Sequence, residues 1–296
     1  MLLTESIFAA QQQRSKLNKK VRIAIQGVEG AFHHEAALHF VNADNAEIIA
    51  SPTFDDLIAN VERGDADCAV MAIENTIAGS LLRNYNLLFN SELKIYGEHF
   101  LRIRQNLMAM PGVSIFELEE VHSHPIAIEQ CTDFLKKYPF IQVVATNDTA
   151  LAARNVRQGN LRTVAAIASE EAARLYDLHI LAESIETYKK NFTRFLFIAR
   201  GDVGIKTDLN SADKVSIVFT TQHTSGSLHS VLAILANNSC NLTKIQSVPV
   251  MDNPWNYMFF CDFTLEDMTI LNDVLKLIRT QTVSLEVLGV YKAFNG

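Results

Sequence analysis

Three consecutive pieces of sequence decide the fold: Val21-Arg-Ile-Ala-Ile-Gln26, then Gly27-Val-Glu-Gly30, then residues 31–41. The first is a short run rich in β-branched residues and predicts a strand. The glycine pair interrupts that run, and the third piece has the composition of a helix. A strand, a tight turn and a helix in this order are typical of an α/β fold.

The alternation continues along the chain. Strands are predicted at 47–50 and 68–73 around a helix at 54–63, and the same rhythm recurs between 113 and 180. In that second region the predicted strands are 120–123, 142–145 and 164–168, and the predicted helices are 126–138, 150–158 and 170–176. Such a pattern predicts mostly parallel sheets with helices on both faces. We expect two lobes, joined by crossovers near 97–104 and 185–200.

The pattern changes after residues 200–213, which are rich in glycine and polar residues and predict a linker. Beyond it the predicted order is strand 214–220, helix 226–237, strands 242–250 and 256–263, helix 267–279 and strand 283–292. Asp252-Asn-Pro254 supplies a turn between the two middle strands. This βαββαβ order is that of a ferredoxin-like unit.

Composition narrows the function classes. The chain has 296 residues, 48% of them hydrophobic, so it can fill real cores, and its net charge of −7 disfavours nucleic acid as a partner. We expect no membrane span and no secretory signal. Four scattered cysteines without a CxxC spacing predict reduced thiols and a cytoplasmic protein.

Polar clusters follow several predicted strands. The Gly27–Gly30 turn opens a helix whose amides could bind an anion, although on this spacing alone a tight turn between strand and helix is the better explanation. Glu74-Asn75-Thr76 with Gly79 suits a binding site or helix capping. His122 and His124 flank Ser123, but no further ligand completes a metal shell. Asp148 and Thr149 are good helix caps beside another strand.

The last cluster is Asn191-Phe192-Thr193-Arg194-Phe195. In an extended chain Thr193 and Phe195 face one way and Arg194 the other. A buried arginine needs an anionic partner, either a ligand or a structural carboxylate such as Glu74 or Asp148. The clusters together predict a two-lobed site for a small anion, without a nucleophile–base dyad, a metal or a dinucleotide fingerprint.

Several motifs resemble those of the prephenate dehydratase family. They are Ile-Glu-Asn-Thr with Gly79, Ser-His-Pro at 123–125 with Gln130-Cys131, Ala-Ala-Ile-Ala-Ser at 165–169, and Asn191 with Thr193-Arg194-Phe195. The C-terminal unit resembles that family's regulatory ACT domain. The resemblance implies a periplasmic-binding-protein-like catalytic domain at 21–204 after a tail at 1–20, with lobe one at 21–101 plus 186–204, lobe two at 102–185 and an ACT domain at 212–296.

The resemblance implies conversion of prephenate to phenylpyruvate in phenylalanine biosynthesis, with no cofactor or metal. Thr193 would assist departure of the ring hydroxyl, and Arg194 would hold a carboxylate or brace the site, with Phe195 beside them. The implied substrate-binding residues are Gly27, Glu74, Asn75, Thr76, Gly79, Ser123, Thr149 and Asn191. The implied effector-binding residues are Gly226, Ser227, Leu228, His229, Asn241, Leu242, Gln246 and Ser247.

The sequence departs from the family pattern at three places. The family's first motif, Gly-Pro-x-Gly-Thr-Phe-Ser, is replaced here by a stretch that ends in Ala31-Phe32-His33. Gln105 stands at a position where the family often has histidine. In the effector motif, Glu-Ser-Arg-Pro has become Gln246-Ser247-Val248-Pro249, which removes an ion-paired element. We therefore expect weakened or altered inhibition by phenylalanine.

Two other functions remain open at this point. A non-catalytic amino-acid sensor would share the architecture, and arogenate, the aminated analogue of prephenate, could be the substrate if an acidic group met its ammonium. The segment before Val21 is too short for a fused chorismate mutase domain, so we expect a monofunctional enzyme. The ACT resemblance further implies a homodimer or homotetramer.

Overall fold

The computed structural model describes residues 20–201, 211–250 and 253–294. Most of the predicted tail, the middle of the predicted linker and Asp252 of the predicted turn lie outside the described residues. Within the described ranges, no helix has the length and apolar character needed to cross a membrane.

Lobe one is built on a twisted sheet in the order β2-β1-β3-β11-β5. Its first three strands are parallel, and β11 runs antiparallel to both of its neighbours. The central strands are nearly continuous apolar runs because helices cover both faces. The strands are β1 (Val21–Gln26), β2 (Ala46–Ser51), β3 (Cys68–Asn75), β4 (Gly79–Ser80), β5 (Leu93–Arg102) and β11 (Phe192–Arg200), and the helices are α1 (Phe32–Phe40), α2 (Phe54–Glu62) and α3 (Leu82–Phe89).

Lobe two has its own sheet, in the order β10-β6-β9-β7-β8. The strands β7, β8 and β9 are parallel. On the other side of β9, β6 is antiparallel to β9, and β10 is antiparallel to β6. Its strands are β6 (Asn106–Ala109), β7 (Glu120–Ser123), β8 (Gln142–Ala145), β9 (Val164–Ala168) and β10 (His179–Ala182), and its helices are α4 (Pro125–Gln130), α5 (Thr132–Leu135), α6 (Thr149–Gln158) and α7 (Glu170–Leu175).

Two sequence-based predictions of lobe structure need correction. The helix expected at 126–138 is divided into α4 and α5, because Cys131 leaves the helical region with φ −102° and ψ 12°. The segments expected to cross between the lobes lie mostly within the long strands β5 and β11 of lobe one. The chain passes between the lobes only in the short segments 103–105 and 183–191. The lobes are therefore connected by two adjacent strand ends.

The C-terminal unit has the expected βαββαβ order and ferredoxin-like topology. Its four strands are antiparallel in the order β13-β14-β12-β15. The helices pack on one face over an apolar core that includes Phe219, Val231 and Val274. The elements are β12 (Lys214–Thr220), α8 (Ser227–Asn237), β13 (Asn241–Val250), β14 (Asn253–Thr264), α9 (Leu271–Thr280) and β15 (Ser284–Tyr291).

The C-terminal sheet continues directly into the sheet of lobe one. Gly289 of β15 pairs in parallel with Ile95 of β5, which joins the strands into one ten-stranded sheet. A Cβ atom on Gly289 would lie 2.3 Å from the Ile95 carbonyl oxygen, so the close approach depends on glycine. Tyr85 and Phe260 pack together across the seam, with ring centroids 4.9 Å apart. The two units thus share part of one hydrophobic core.

Candidate active site

A cavity of about 510 Å³ lies between the two lobes. Lobe one contributes the ends of β1 and β3, the start of β11 and the starts of α1, α2 and α3, and lobe two contributes Gln105 and the starts of α4 and α6. The lining side chains include those of Ala31, His33, Thr53, Phe54, Asn75, Arg83, Gln105, His124, Gln130, Asp148, Thr149, Thr193 and Phe195.

Five helices, α1, α2, α3, α4 and α6, begin at this cavity, and their first turns carry backbone N–H groups without helical partners. Thr53 caps α2, His124 caps α4 and Asp148 caps α6, each by accepting a backbone N–H. The N-cap of α1 is Ala31, which has no side-chain cap. The open start of α1, with the positive end of its helix dipole, favours a bound carboxylate.

Thr193 and Asn75 form the polar centre of the cavity wall. The Asn75 Oδ1 atom accepts the backbone N–H groups of Ile77 and Ala78, both at 2.9 Å, which fixes the orientation of the amide. The Asn75 Nδ2 atom therefore donates, to Thr193 Oγ1 at 2.9 Å and to Asn191 Oδ1 at 2.8 Å. Since Thr193 accepts this bond, its own hydroxyl proton is available to donate into the cavity.

A chain of amides continues the same wall into lobe two. Asn191 Nδ2 donates to Gln130 Oε1 at 3.1 Å, and Gln105 Nε2 donates to the same oxygen at 3.3 Å. Gln105 is only 3% exposed, and its Oε1 atom has no hydrogen-bond partner among the described residues. A buried acceptor without a partner in a cavity lining requires a donor from a ligand or water. These amides thus add an acceptor near the Thr193 donor.

The floor of the cavity is aromatic. The His33 ring packs edge-on against Phe195 with centroids 5.0 Å apart and lies 5.5 Å from the Phe54 ring. Burial lowers the pKa of His33 to about 3, so the imidazole is neutral near neutral pH. The backbone N–H of Ala72 donates to His33 Nε2 at 3.4 Å. This floor suits an uncharged ring better than an anion.

Arg194 does not line the cavity, so of its two expected roles, holding a substrate carboxylate or bracing the site, its position fits only the second. It lies on the opposite face of β11 from Thr193, as the strand alternation predicts, and is 3% exposed. Its Nε donates to Glu98 Oε2 at 2.7 Å and its Nη1 to Asp262 Oδ2 at 2.5 Å. Its Nη2 donates to the Tyr291 hydroxyl at 3.0 Å. Neither Glu74 nor Asp148 is its partner.

The remaining polar groups around Arg194 come mainly from the C-terminal unit. Lys214 Nζ lies 2.8 Å from Glu98 Oε1, and Ser216 Oγ donates to Asp262 Oδ1 at 2.6 Å. Burial alone would raise the pKa of Asp262, but Arg194, Ser216 and Lys214 outweigh it and hold that pKa below its ordinary value. This buried cluster joins the strand that carries Thr193 to the C-terminal unit.

Of the predicted site residues, Asn75, Thr149, Thr193 and Phe195 line the cavity. Asn191 lies behind them and orients Asn75 and Gln130. The other expected substrate contacts do not line the cavity.

Glu74 turns away from the cavity toward the C-terminal unit, where Lys244 of β13 binds it at 2.7 Å. Thr76 accepts the backbone N–H of Phe192 and donates to the Lys190 carbonyl, so it fastens β3 to β11. Gly79 is exposed on β4.

Ser123 and Gly27 also have structural explanations. The Ser123 hydroxyl is fully buried and donates to the Ile167 carbonyl at 2.7 Å. Gly27 has φ +95°, and a Cβ there would lie 2.7 Å from Asp148 Oδ2 across the lobe boundary. Glycine at this position lets the two lobes approach.

Sequence reasoning missed several lining residues. In the sequence His33 and Gln130 stand out only as parts of motif stretches, and Asp148 only as a helix cap. Asp148 is both a cap and a lining residue, so the signal in the sequence was present but was explained by the cap alone. Because the missed groups come from both lobes, only the folded chain brings them together.

No metal ligands are predicted from the sequence, and the predicted effector residues lie at the start of α8 and on β13. Within the described ranges no group of three His, Cys, Asp or Glu side chains could hold a metal ion. A small cavity of about 100 Å³ at the start of α8 is lined by Ser227 and Leu228. The other predicted effector residues do not line it: Gly226, with φ +83°, is the N-cap of α8, His229 lies on α8, and Asn241, Leu242, Gln246 and Ser247 lie on β13.

Comparisons with known proteins agree with this architecture. A family model described as prephenate dehydratase matches residues 23–203. "Arogenate dehydratase/prephenate dehydratase 2, chloroplastic" of Arabidopsis thaliana is 38% identical over 302 residues, which cover 98% of this chain and 78% of the relative.

Two solved structures are also similar. One, described as "GqqA- a novel type of quorum quenching acylases", has a TM-score of 0.81 at 29% identity and covers 92% of this chain and 98% of its own. Prephenate dehydratase from Arthrobacter aurescens in complex with L-Phe has a TM-score of 0.80 at 25% identity and covers 92% and 90% of the two chains. The matched region contains both lobes and the cavity between them, and this chain belongs to the prephenate dehydratase family.

Proposed function

We propose that the cavity between the lobes is where this chain carries out the reaction of its family, the decarboxylative dehydration of prephenate to phenylpyruvate. The chain is a carbon–oxygen lyase of phenylalanine biosynthesis. The observation that carries the proposed site is the Thr193 hydroxyl, whose proton is free to point into the cavity because Asn75 donates to its oxygen.

The bond changes require little beyond positioning and hydrogen bonding. The bond between the ring and its carboxylate breaks, and its electron pair enters the ring as carbon dioxide leaves. The ring C–O bond breaks at the same time, and the hydroxyl leaves with the electron pair of that bond and takes up a proton from solvent to become water. Thr193 donates a hydrogen bond to the oxygen on which negative charge develops, because an unperturbed threonine is too weak an acid to transfer its proton fully.

The rest of the cavity orients the substrate. The open N-terminus of α1 would hold a carboxylate, and the aromatic floor of Phe54 and Phe195 would hold the ring. Gln105 Oε1 would accept the hydroxyl proton of the substrate. A non-catalytic amino-acid sensor would not need hydrogen-bonding groups aligned around the departing ring hydroxyl.

Arg194 is a positioning residue in this proposal. The buried cluster with Glu98, Asp262 and Tyr291 fixes the backbone of β11 one residue from Thr193. The C-terminal unit therefore supports the catalytic strand directly, in addition to any regulatory role.

We assign the catalytic domain to 21–204, with lobe one at 21–101 plus 186–204 and lobe two at 102–185, and the ACT domain to 212–296. The four cysteines are buried and form no disulfide bond, which supports a reducing, cytoplasmic location. The exposed edge strand β13, with Leu242 37% and Ile245 39% exposed, supports a homodimer or homotetramer formed through ACT units.

We assign phenylalanine as the effector of the C-terminal unit. We expect the unit to bind it more weakly than the family motif would. Gln246 lacks the carboxylate of the family motif, and Val248, in place of arginine, is 5% exposed within the shared apolar core. No guanidinium is therefore available at that position to pair with the effector carboxylate.

Replacement of Thr193 by valine tests the hydroxyl while keeping the shape of the side chain. We expect kcat for phenylpyruvate formation to fall about 100- to 1,000-fold, as for loss of one donor to developing charge. Thr193→Ser retains the donor and is the matched control, expected to keep most of the activity. A valine variant with wild-type kcat would remove Thr193 from its role.

Asp262→Asn tests the buried cluster. The change leaves a buried positive charge uncompensated, and we expect about 3–5 kcal/mol lower unfolding free energy in urea. Because the folded-state pKa of Asp262 is lowered, its contribution is present above its ordinary pKa and is lost as the pH falls below about 4. The variant should therefore lose less stability on acidification than the wild type.

Glu286→Gln provides a control for Asp262→Asn at the same seam. Its partner Lys94 lies 2.6 Å away, but both side chains are more than a third exposed, so we expect a change of about 0–1 kcal/mol. Equal effects of the two substitutions, or an unchanged acid dependence in Asp262→Asn, would contradict the assigned role of the cluster.

Phenylalanine titration of the wild-type enzyme tests the effector assignment. We expect micromolar phenylalanine to leave prephenate turnover nearly unchanged, with inhibition only at much higher concentration. Tyrosine at matched concentrations controls for nonspecific effects. Strong inhibition at micromolar phenylalanine would refute the prediction.

A further inference from the structure

We propose that Arg83 binds one of the two carboxylates of prephenate by exchanging its ion pair with Asp55 for one with the substrate. In this structure Arg83 lies at the rim of the cavity, and its Nη2 donates to Asp55 Oδ2 at 2.6 Å. The inference rests on the proposed function and deepens it, because it names the residue that recognises a doubly charged substrate at the same site.

The substrate brings two negative charges into a cavity that has few positive groups. A carboxylate that leaves water needs an opposite charge or several hydrogen-bond donors. Arg194, one residue from Thr193, is bound to Glu98 and Asp262 behind β11 and does not line the cavity. Among the described lining residues Arg83 is the one lysine or arginine. A dianion therefore meets a single permanent positive charge on this wall.

The helix starts at the cavity differ in how well they can accept an anion. The first turn of α2 already contains Asp55 and Asp56, and the start of α6 is capped by the Asp148 side chain. The start of α3 has no side-chain cap, and Arg83 is the second residue of that helix, so its charge adds to the positive end of the helix dipole. With one carboxylate at the start of α1, the second belongs at Arg83.

The ion pair that Arg83 gives up is a weak one. The side chains of Arg83 and Asp55 are 74% and 53% exposed, and an exposed pair contributes little because water solvates both charges. A carboxylate within the cavity is less screened by water and can accept two parallel N–H groups of the guanidinium. After the exchange, Asp55 keeps a favourable place in the first turn of α2.

Arg83→Met removes the charge and keeps the apolar part of the side chain. We expect kcat/KM for prephenate to fall about 10- to 100-fold, as for loss of a charge-assisted hydrogen bond. The loss should lie mainly in KM, because a carboxylate held alike in the ground and transition states affects binding rather than kcat. Arg83→Lys retains the charge without the planar fork and should recover part of the loss. Initial rates of phenylpyruvate formation are measured with the full chain over a range of prephenate concentrations.

Asp55→Asn separates substrate binding from a structural ion pair. The change removes the competing carboxylate and leaves Arg83 in place, so we expect kcat/KM to stay unchanged or to rise a few-fold. A pair that served only the structure would lose the same amount of activity whichever partner was replaced. The two substitutions at this ion pair therefore have opposite expected effects.

Arg63→Met is the matched control. Arg63 is also exposed in lobe one and binds Asp65 at 2.9 Å, but it does not line the cavity, so its loss changes the net charge alone and should leave kcat/KM unchanged. Wild-type kcat/KM in Arg83→Met, or an equal loss in Asp55→Asn or Arg63→Met, would overturn this inference and leave the proposed function intact. Absence of prephenate turnover by the wild type would instead contradict the proposed function and, with it, this inference.

Discussion

The alternation of side chains along β11 is the constraint on which the rest of the structure depends. Thr193 and Phe195 face the cavity, and Arg194 between them faces a buried ionic cluster. Both faces of this strand are buried, so a slip of one residue would place a guanidinium in the cavity and a hydroxyl among carboxylates. The pairings of β11 with β3 and β5 hold this register.

One face of β11 carries the proposed catalytic hydroxyl, and the other face binds the C-terminal unit. On one face, the fixed amide of Asn75 determines which way the Thr193 hydroxyl can donate. On the other, Arg194 binds Asp262 and Tyr291 of the C-terminal unit, and one residue along β3 from Asn75, Glu74 binds Lys244 of β13. The catalytic lobe and the C-terminal unit are thus joined at the two strands that carry the proposed hydrogen-bonding centre.

Much of the fold and part of the site follow from sequence, for identifiable reasons. The period-two pattern of residues 192–196 predicted the faces of Thr193 and Arg194, and local signals predicted β1, β7, β9 and β12 with their observed bounds. The partners of Arg194 could not be predicted, because Glu98 and Asp262 are 96 and 68 residues away. Asp148 was missed as a lining residue because its capping role already explained it.

The pH dependence of kcat for Asn75→Asp tests the direction of the hydrogen bond between residues 75 and 193 most directly. An ionised carboxylate can only accept, so the Thr193 proton would turn toward it and away from the substrate. We expect kcat to be about 100-fold below wild type at high pH and to recover as the pH falls and the carboxyl group regains a proton to donate. Wild-type kcat for this variant at high pH would contradict the account.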